Sequence, residues 1–167
     1  MGPWIKLVDA ILFIFFLIIT IAAPLIDFQT ILPLDLYPTF LVDLKSWYAK
    51  EYGDFLVSEK PSFFVGIVWV EMFLQWPFAI ASLYAIVMSK SWLNTTSLVY
   101  GGSCLSTMAA IMAEILGSER PSEKLQMMYF PFMVFAALAL LRGLLPINSG
   151  KTVMISRRPI LNRKKRT

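Results

Sequence analysis

Residues 63–88 read FFVGIVWVEMFLQWPFAIASLYAIVM. At about 1.5 Å per residue this stretch is long enough to cross the roughly 30 Å of hydrocarbon in a bilayer. It contains a single acid, Glu71, near its middle. An ionised carboxylate at membrane depth costs from a few kcal/mol on insertion scales to about 10 or more in simulations, so such a group faces a bundle interior, a partner or a cavity. The rest of the chain is read outward from Glu71.

The composition agrees with a membrane setting. The chain has 167 residues, of which 57% are hydrophobic and 16% charged, and its mean hydropathy is +0.67; soluble domains are about 45–50% apolar. One cysteine, Cys104, excludes an intrachain disulfide framework, and the absence of histidine removes the usual zinc, haem and imidazole acid–base sites. The remaining chemistry belongs to carboxylates, hydroxyls and aromatics, with no metal and no cofactor expected. The net charge of +4 is crowded into the tail, where an anionic bilayer surface is the expected counterpart rather than nucleic acid.

Upstream, residues 4–23 form an apolar run closed by Pro24, with charges only at Lys6 and Asp9. A cleaved signal peptide is the competing reading, but the run is longer than a usual signal core and lacks an A-x-A site, which favours a retained span. Residues 24–62 are polar and punctuated by Pro33, Pro38 and Pro61, with the spacing of a short amphipathic helix over 41–52. Acids outnumber bases in this loop.

Downstream, a third run spans 92 to about 116, with small residues (Ser97, Gly101, Gly102, Ser103, Ser106) that let membrane helices approach closely. After a break around Pro121, a fourth run covers 125 to about 145, contains Pro131 and ends at Arg142. From Lys151 the tail has only basic charges. The pattern predicts an all-α, four-transmembrane-helix bundle: one membrane domain over residues 1–150 and a basic tail over 151–167. The bias of lysine and arginine puts both termini in the cytosol and the loop between helices 1 and 2 in the lumen. Lys164 and Lys165 occupy the third and fourth places from the carboxyl end, resembling a dilysine retrieval signal of the endoplasmic reticulum.

Glu71 and Gln75, at i and i+4, share a helix face and predict a polar floor for a ligand cavity; the bland alternative is hydrogen-bonded glue between helices. Asp27 lies one turn beyond the first span, where it either dips back into the bundle or stays solvated in the loop. If it dips back, two carboxylates brought together share a proton, since both cannot ionise cheaply. Pro77 and Pro131 are placed to bulge or kink their helices and open such a cavity. Nothing in the sequence matches a phosphate loop or nucleophile elbow.

Three strings, ILPLDLYP (31–38), WYAKEYGD (47–54) and VEMFLQWPF (70–78), resemble the EXPERA-domain family. The likeness runs from about Asp27 to Tyr84 and continues more loosely through Tyr100, Thr107, Tyr129 and Pro131. It implies a four-helix protein of the endoplasmic reticulum membrane, and of the nuclear envelope continuous with it, dimeric, with a cavity opening towards lipid. An aspartate matching Asp27 pairs there with the amine of a cationic amphiphile, and a glutamate matching Glu71 hydrogen-bonds that aspartate. An aspartate matching Asp54 is needed for ligand binding and is expected to hold the loop over the cavity. Gln75, Thr107 and Tyr129 match positions lining the pocket, whereas Phe132 stands where relatives have a tyrosine.

The function implied is that of a non-enzymatic receptor for a sterol or oxysterol and for cationic amines. It would act in cholesterol or sterol homeostasis and trafficking, with membrane lipid and a cholesterol transporter as partners. The alternative is a sterol double-bond isomerase of the emopamil-binding type; that branch uses a histidine, which this chain lacks. A third reading is a small-subunit or chaperone role.

Overall fold

The structure is a computed structural model and describes residues 2–118 and 123–145. The basic tail with Lys164 and Lys165, and the break at Pro121, lie outside the described residues. The protein is an all-α membrane protein and has, among the described residues, four helices long and apolar enough to span a bilayer: Pro3–Thr30, Ser62–Val87, Leu93–Gly117 and Glu123–Leu144.

Helix α1 (Pro3–Leu25) does not stop at Pro24 as the sequence suggests. Proline has no N–H to give the carbonyl four residues back, and in a membrane that orphaned group costs several kcal/mol unless another donor reaches it. The Trp76 indole supplies the donor, with Nε1 3.1 Å from the Thr20 carbonyl. The carbonyls at the end of the helix are met in the same way, Pro24 by the Tyr37 hydroxyl at 3.1 Å and Leu25 by the Gln29 amide at 2.7 Å. A 3-10 turn, Asp27–Thr30, follows directly.

The loop folds into short helices. α2 (Thr39–Tyr52) ends on Gly53, whose φ of 65° is the left-handed conformation glycine tolerates. α3 (Phe55–Glu59) is N-capped by Asp54, which accepts from the Val57 amide.

The second span is built as α4 (Ser62–Val70), a π-helical turn over Glu71–Gln75, and α5 (Trp76–Val87). Pro77 lies just beyond the wide turn. Its ring would press on the Phe73 carbonyl in a regular helix, and a π turn relieves that clash by widening the backbone where Glu71 and Gln75 sit.

Helices α6 (Leu93–Gly117) and α7 (Glu123–Leu144) form the closest pair. A Cβ on Gly101 would meet the backbone of Leu140 and Ala136, and one on Gly143 would meet the backbone of Leu98. Of the small residues expected at this interface, Gly101 makes the close approach and Ser97 is buried. Ser103 instead bonds towards the second span, and Ser106 is exposed.

The core lies where α1 crosses the other spans. Phe15 stacks on Phe135 at 4.8 Å between ring centroids, and Phe16 meets Tyr100 edge-on at 5.0 Å. At the end of the bundle away from the loop, Arg142 is 4% exposed. Its guanidinium donates from Nε to Asp9 Oδ1 at 2.5 Å, from Nη2 to Asp9 Oδ2 at 3.3 Å and from Nη1 to Asn94 Oδ1 at 2.9 Å. This network ties the start of α1 to the start of α6 and the end of α7.

Candidate functional site

A cavity of about 250 Å³ opens inside the loop-side half of the bundle, a little below the roughly 300–1,000 Å³ of typical small-molecule sites. Ile19, Phe64, Val68, Met108, Ile111 and Phe132 give it apolar walls. Ile18 also lines it and is 54% exposed, so this part of the wall is a residue that also faces the lateral surface.

Asp27, Lys45, Glu71 and Gln75 bring two carboxyls, an amine and an amide into the apolar lining. Asp27 is in the 3-10 turn that continues α1, so it dips back into the bundle. Glu71 and Gln75 open and close the π turn. Asp27 and Glu71 are each half-buried as residues while lining this space. They interact electrostatically; among the described residues no direct hydrogen bond joins them.

Gln75 is 4% exposed and its Nε2 donates to Ser103 Oγ at 3.2 Å and to Thr107 Oγ1 at 3.1 Å. Thr107 in turn donates to the Cys104 carbonyl at 3.0 Å. Thr107 is therefore placed behind the wall, orienting Gln75, and is not itself among the cavity-lining residues.

Asp54 is completely buried and also lies behind the wall. One carboxylate oxygen accepts from the Val57 amide at 3.1 Å and the other from the Tyr129 hydroxyl at 2.8 Å; the Tyr48 phenol feels the same carboxylate. Burial and the charge of Asp54 push the Tyr48 phenol well above its ordinary pKa, keeping it a neutral donor. Tyr48 and Tyr129 both line the cavity. Asp54 thus fastens the loop, through α2 and α3, to the start of α7.

Sequence reasoning missed Lys45. It is 8% exposed and its Nζ lies 2.8 Å from the Ile26 carbonyl and 2.7 Å from Thr30 Oγ1. Burial pulls its pKa down to about 8, against the opposing pull of Asp27. A lysine inside the predicted amphipathic stretch reads as part of the solvated face, and nothing in its spacing signals that this helix points it inward.

The sequence profile of the EXPERA family, the expanded EBP superfamily, matches residues 40–143. The chain belongs to the EXPERA family. The match runs from α2 through the end of α7 and so includes Lys45, Asp54, Glu71, Gln75 and Tyr129, while Asp27 precedes it. Among EXPERA relatives, the chain is 33% identical over 117 residues to Sigma intracellular receptor 2 of Xenopus tropicalis, covering 70% of this chain and 68% of that protein. It is 34% identical over 91 residues to Sigma intracellular receptor 2 of Homo sapiens, covering 54% and 52%. The protein of that name from Macaca fascicularis matches to the same extent.

Proposed function

We propose that this protein is a membrane-embedded receptor for a sterol or oxysterol, acting in sterol homeostasis and trafficking in the endoplasmic reticulum. The observation that carries the reading is the shape and chemistry of one cavity. Its walls are largely apolar, they include Ile18, which is also exposed on the lateral surface, and Asp27, Glu71 and Lys45 line it together, which supports a ligand that is apolar with a hydroxyl at one end. A lipid entering from the hydrocarbon layer would leave its rings against Ile19, Phe64, Val68 and Phe132 and set its hydroxyl among the charged groups, which accept and donate at once. The likeness to proteins named as receptors supports a binding role over a catalytic one.

The endoplasmic reticulum address is part of this proposal, and the basic residues of 151–167 support an inside orientation for that segment. Cationic amphiphiles are a second ligand class, attracted by Asp27 and Glu71. Homodimers and a cholesterol transporter are the proposed protein partners.

The isomerase reading rests on a specific feature, two carboxylates on one cavity, which is the minimum for protonating one sterol carbon and deprotonating another. Sterol product analysis in cells lacking the protein separates the two: an accumulated double-bond isomer identifies an enzyme, and an unchanged isomer pattern with altered sterol distribution identifies a receptor. Lipid mass spectrometry of the protein purified in mild detergent tests the receptor reading itself. A sterol retained at near-stoichiometric amount is expected, and its absence from protein that still unfolds cooperatively counts against it.

A further inference from the structure

Helix α2 departs from an ordinary surface helix at several positions. It turns Phe40, Leu44 and Trp47 outward, at 65%, 47% and 57% exposure, and buries Lys45 at 8%. The buried ammonium lines the same cavity as Asp27 and Glu71, and two of its three N–H groups are directed at Ile26 O and Thr30 Oγ1. Asp27, Asp54 and Glu71 attract it through space and Lys60 repels it. The cavity therefore arrives with its own cation beside its own carboxylates, in surroundings where charges are weakly screened.

We propose that Lys45 is a specificity-determining residue of this cavity, a tethered cation that already balances Asp27 and Glu71, so that the site favours neutral hydroxylated amphiphiles over cationic ones. The inference rests on reading the cavity as a sterol site. An ammonium ligand approaching Asp27 must sit beside the Lys45 charge, and a like charge in such a place is repelled. A neutral hydroxyl meets no such barrier and gains both an acceptor and a donor.

Protonation gives a second handle. The titratable groups around Lys45 are Asp27 at the end of α1, Tyr48 on α2, Asp54 and Lys60 flanking α3, Glu71 in the π turn, Tyr100 and Cys104 on α6 and Tyr129 on α7. Lys45, lowered to about 8 by burial, loses its charge as the pH rises through that value, which frees the carboxylates for a cationic ligand.

The test uses the full chain in mild detergent, with tritiated cholesterol and a radiolabelled aryl-alkyl quaternary ammonium whose charge does not titrate. Lys45→Met should bind the ammonium probe roughly tenfold or more tightly than wild type at pH 7, while cholesterol, which loses the Lys45 donor, should bind somewhat more weakly. Wild type should gain ammonium affinity between pH 7 and pH 9. Lys45→Arg, which stays charged, should resemble wild type at pH 7 and show no such gain. Adding Asp27→Asn to Lys45→Met should remove most of the improvement. Cholesterol binding by all variants with no gain of ammonium affinity in Lys45→Met would overturn the role of Lys45. A gain of ammonium affinity in Lys45→Met with cholesterol bound by no variant would uphold that role and overturn the sterol reading instead.

Discussion

The Tyr129 hydroxyl donates to Asp54 Oδ2 at 2.8 Å, across 75 residues of sequence, and joins the last membrane helix to the loop that follows the first. Both partners are held: Asp54 is fully buried and caps α3, and Tyr129 lines the cavity. The bond places the roof of the cavity without exposing the carboxylate to it.

Tyr129→Phe should therefore lower stability by about 1–3 kcal/mol, the cost of leaving a buried acceptor short of a partner. Asp54→Ala should cost more, because it also removes a helix cap usually worth about 1 kcal/mol. Thermal unfolding in detergent measures both, and ligand affinity should fall in the same order. An unfolding temperature unchanged by Tyr129→Phe would contradict the fastening role.

The buried pair at the opposite end of the bundle makes a sharper prediction. Removing one member leaves a charge unmatched, so Arg142→Ala should destabilise by about 3–5 kcal/mol. Replacing the pair together, as Asp9→Leu with Arg142→Met, should recover most of that loss, since a buried ion pair is often no more stabilising than an apolar pair of similar volume. A double variant no more stable than the single would show that the Arg142 bond to Asn94, rather than Asp9, dominates.

Lys45 predicts a pH dependence of known sign. Its pKa is about 8 in the folded protein against an ordinary 10.5. Between those values the unfolded chain binds more protons than the folded one, so stability should rise with pH from about 8 to 10.5, and below pH 8 the full cost of burying the charge is present. Unfolding temperatures across pH 7–10.5 should climb in wild type, and Lys45→Met should remove the Lys45 part of that climb. A falling wild-type profile that Lys45→Met leaves unchanged would contradict the burial of a charged lysine here.

Orientation in the membrane is tested by glycosylation. An acceptor sequence inserted beside Glu59, in the loop between the first two spans, should be modified, and one beside Asn162 should not, because only the lumen holds the transferase. The reverse pattern would overturn the orientation drawn from the basic tail.

Much of this architecture was legible in the sequence because hydropathy and length alone decide what crosses a bilayer. Four spans were expected and four helices are found at nearly the expected bounds; the loop helix predicted over 41–52 runs Thr39–Tyr52. Glu71 and Gln75 were placed on one face, and both line the cavity even though the backbone between them is a π turn rather than a regular helix. What was not legible depends on partners distant in sequence. Pro24 reads as a stop until Trp76 is known to reach Thr20. Asp9 and Arg142 read as markers of span ends, and only the antiparallel packing brings them together. Lys45 is invisible for another reason: Phe40, Leu44 and Trp47 face outward on α2, so its hydropathy pattern does not sort inner from outer residues, and Lys45 is buried alongside Leu41.

The central claim, that the cavity holds a sterol, is tested most directly by photolabelling. A diazirine sterol activated on the full protein in a bilayer, followed by peptide mass spectrometry, should mark cavity residues such as Ile19, Met108 and Met128, and excess unlabelled sterol should suppress the labelling. Labelling confined to outward-facing residues such as Ile14, Phe130 and Val134, and insensitive to competitor, would contradict it.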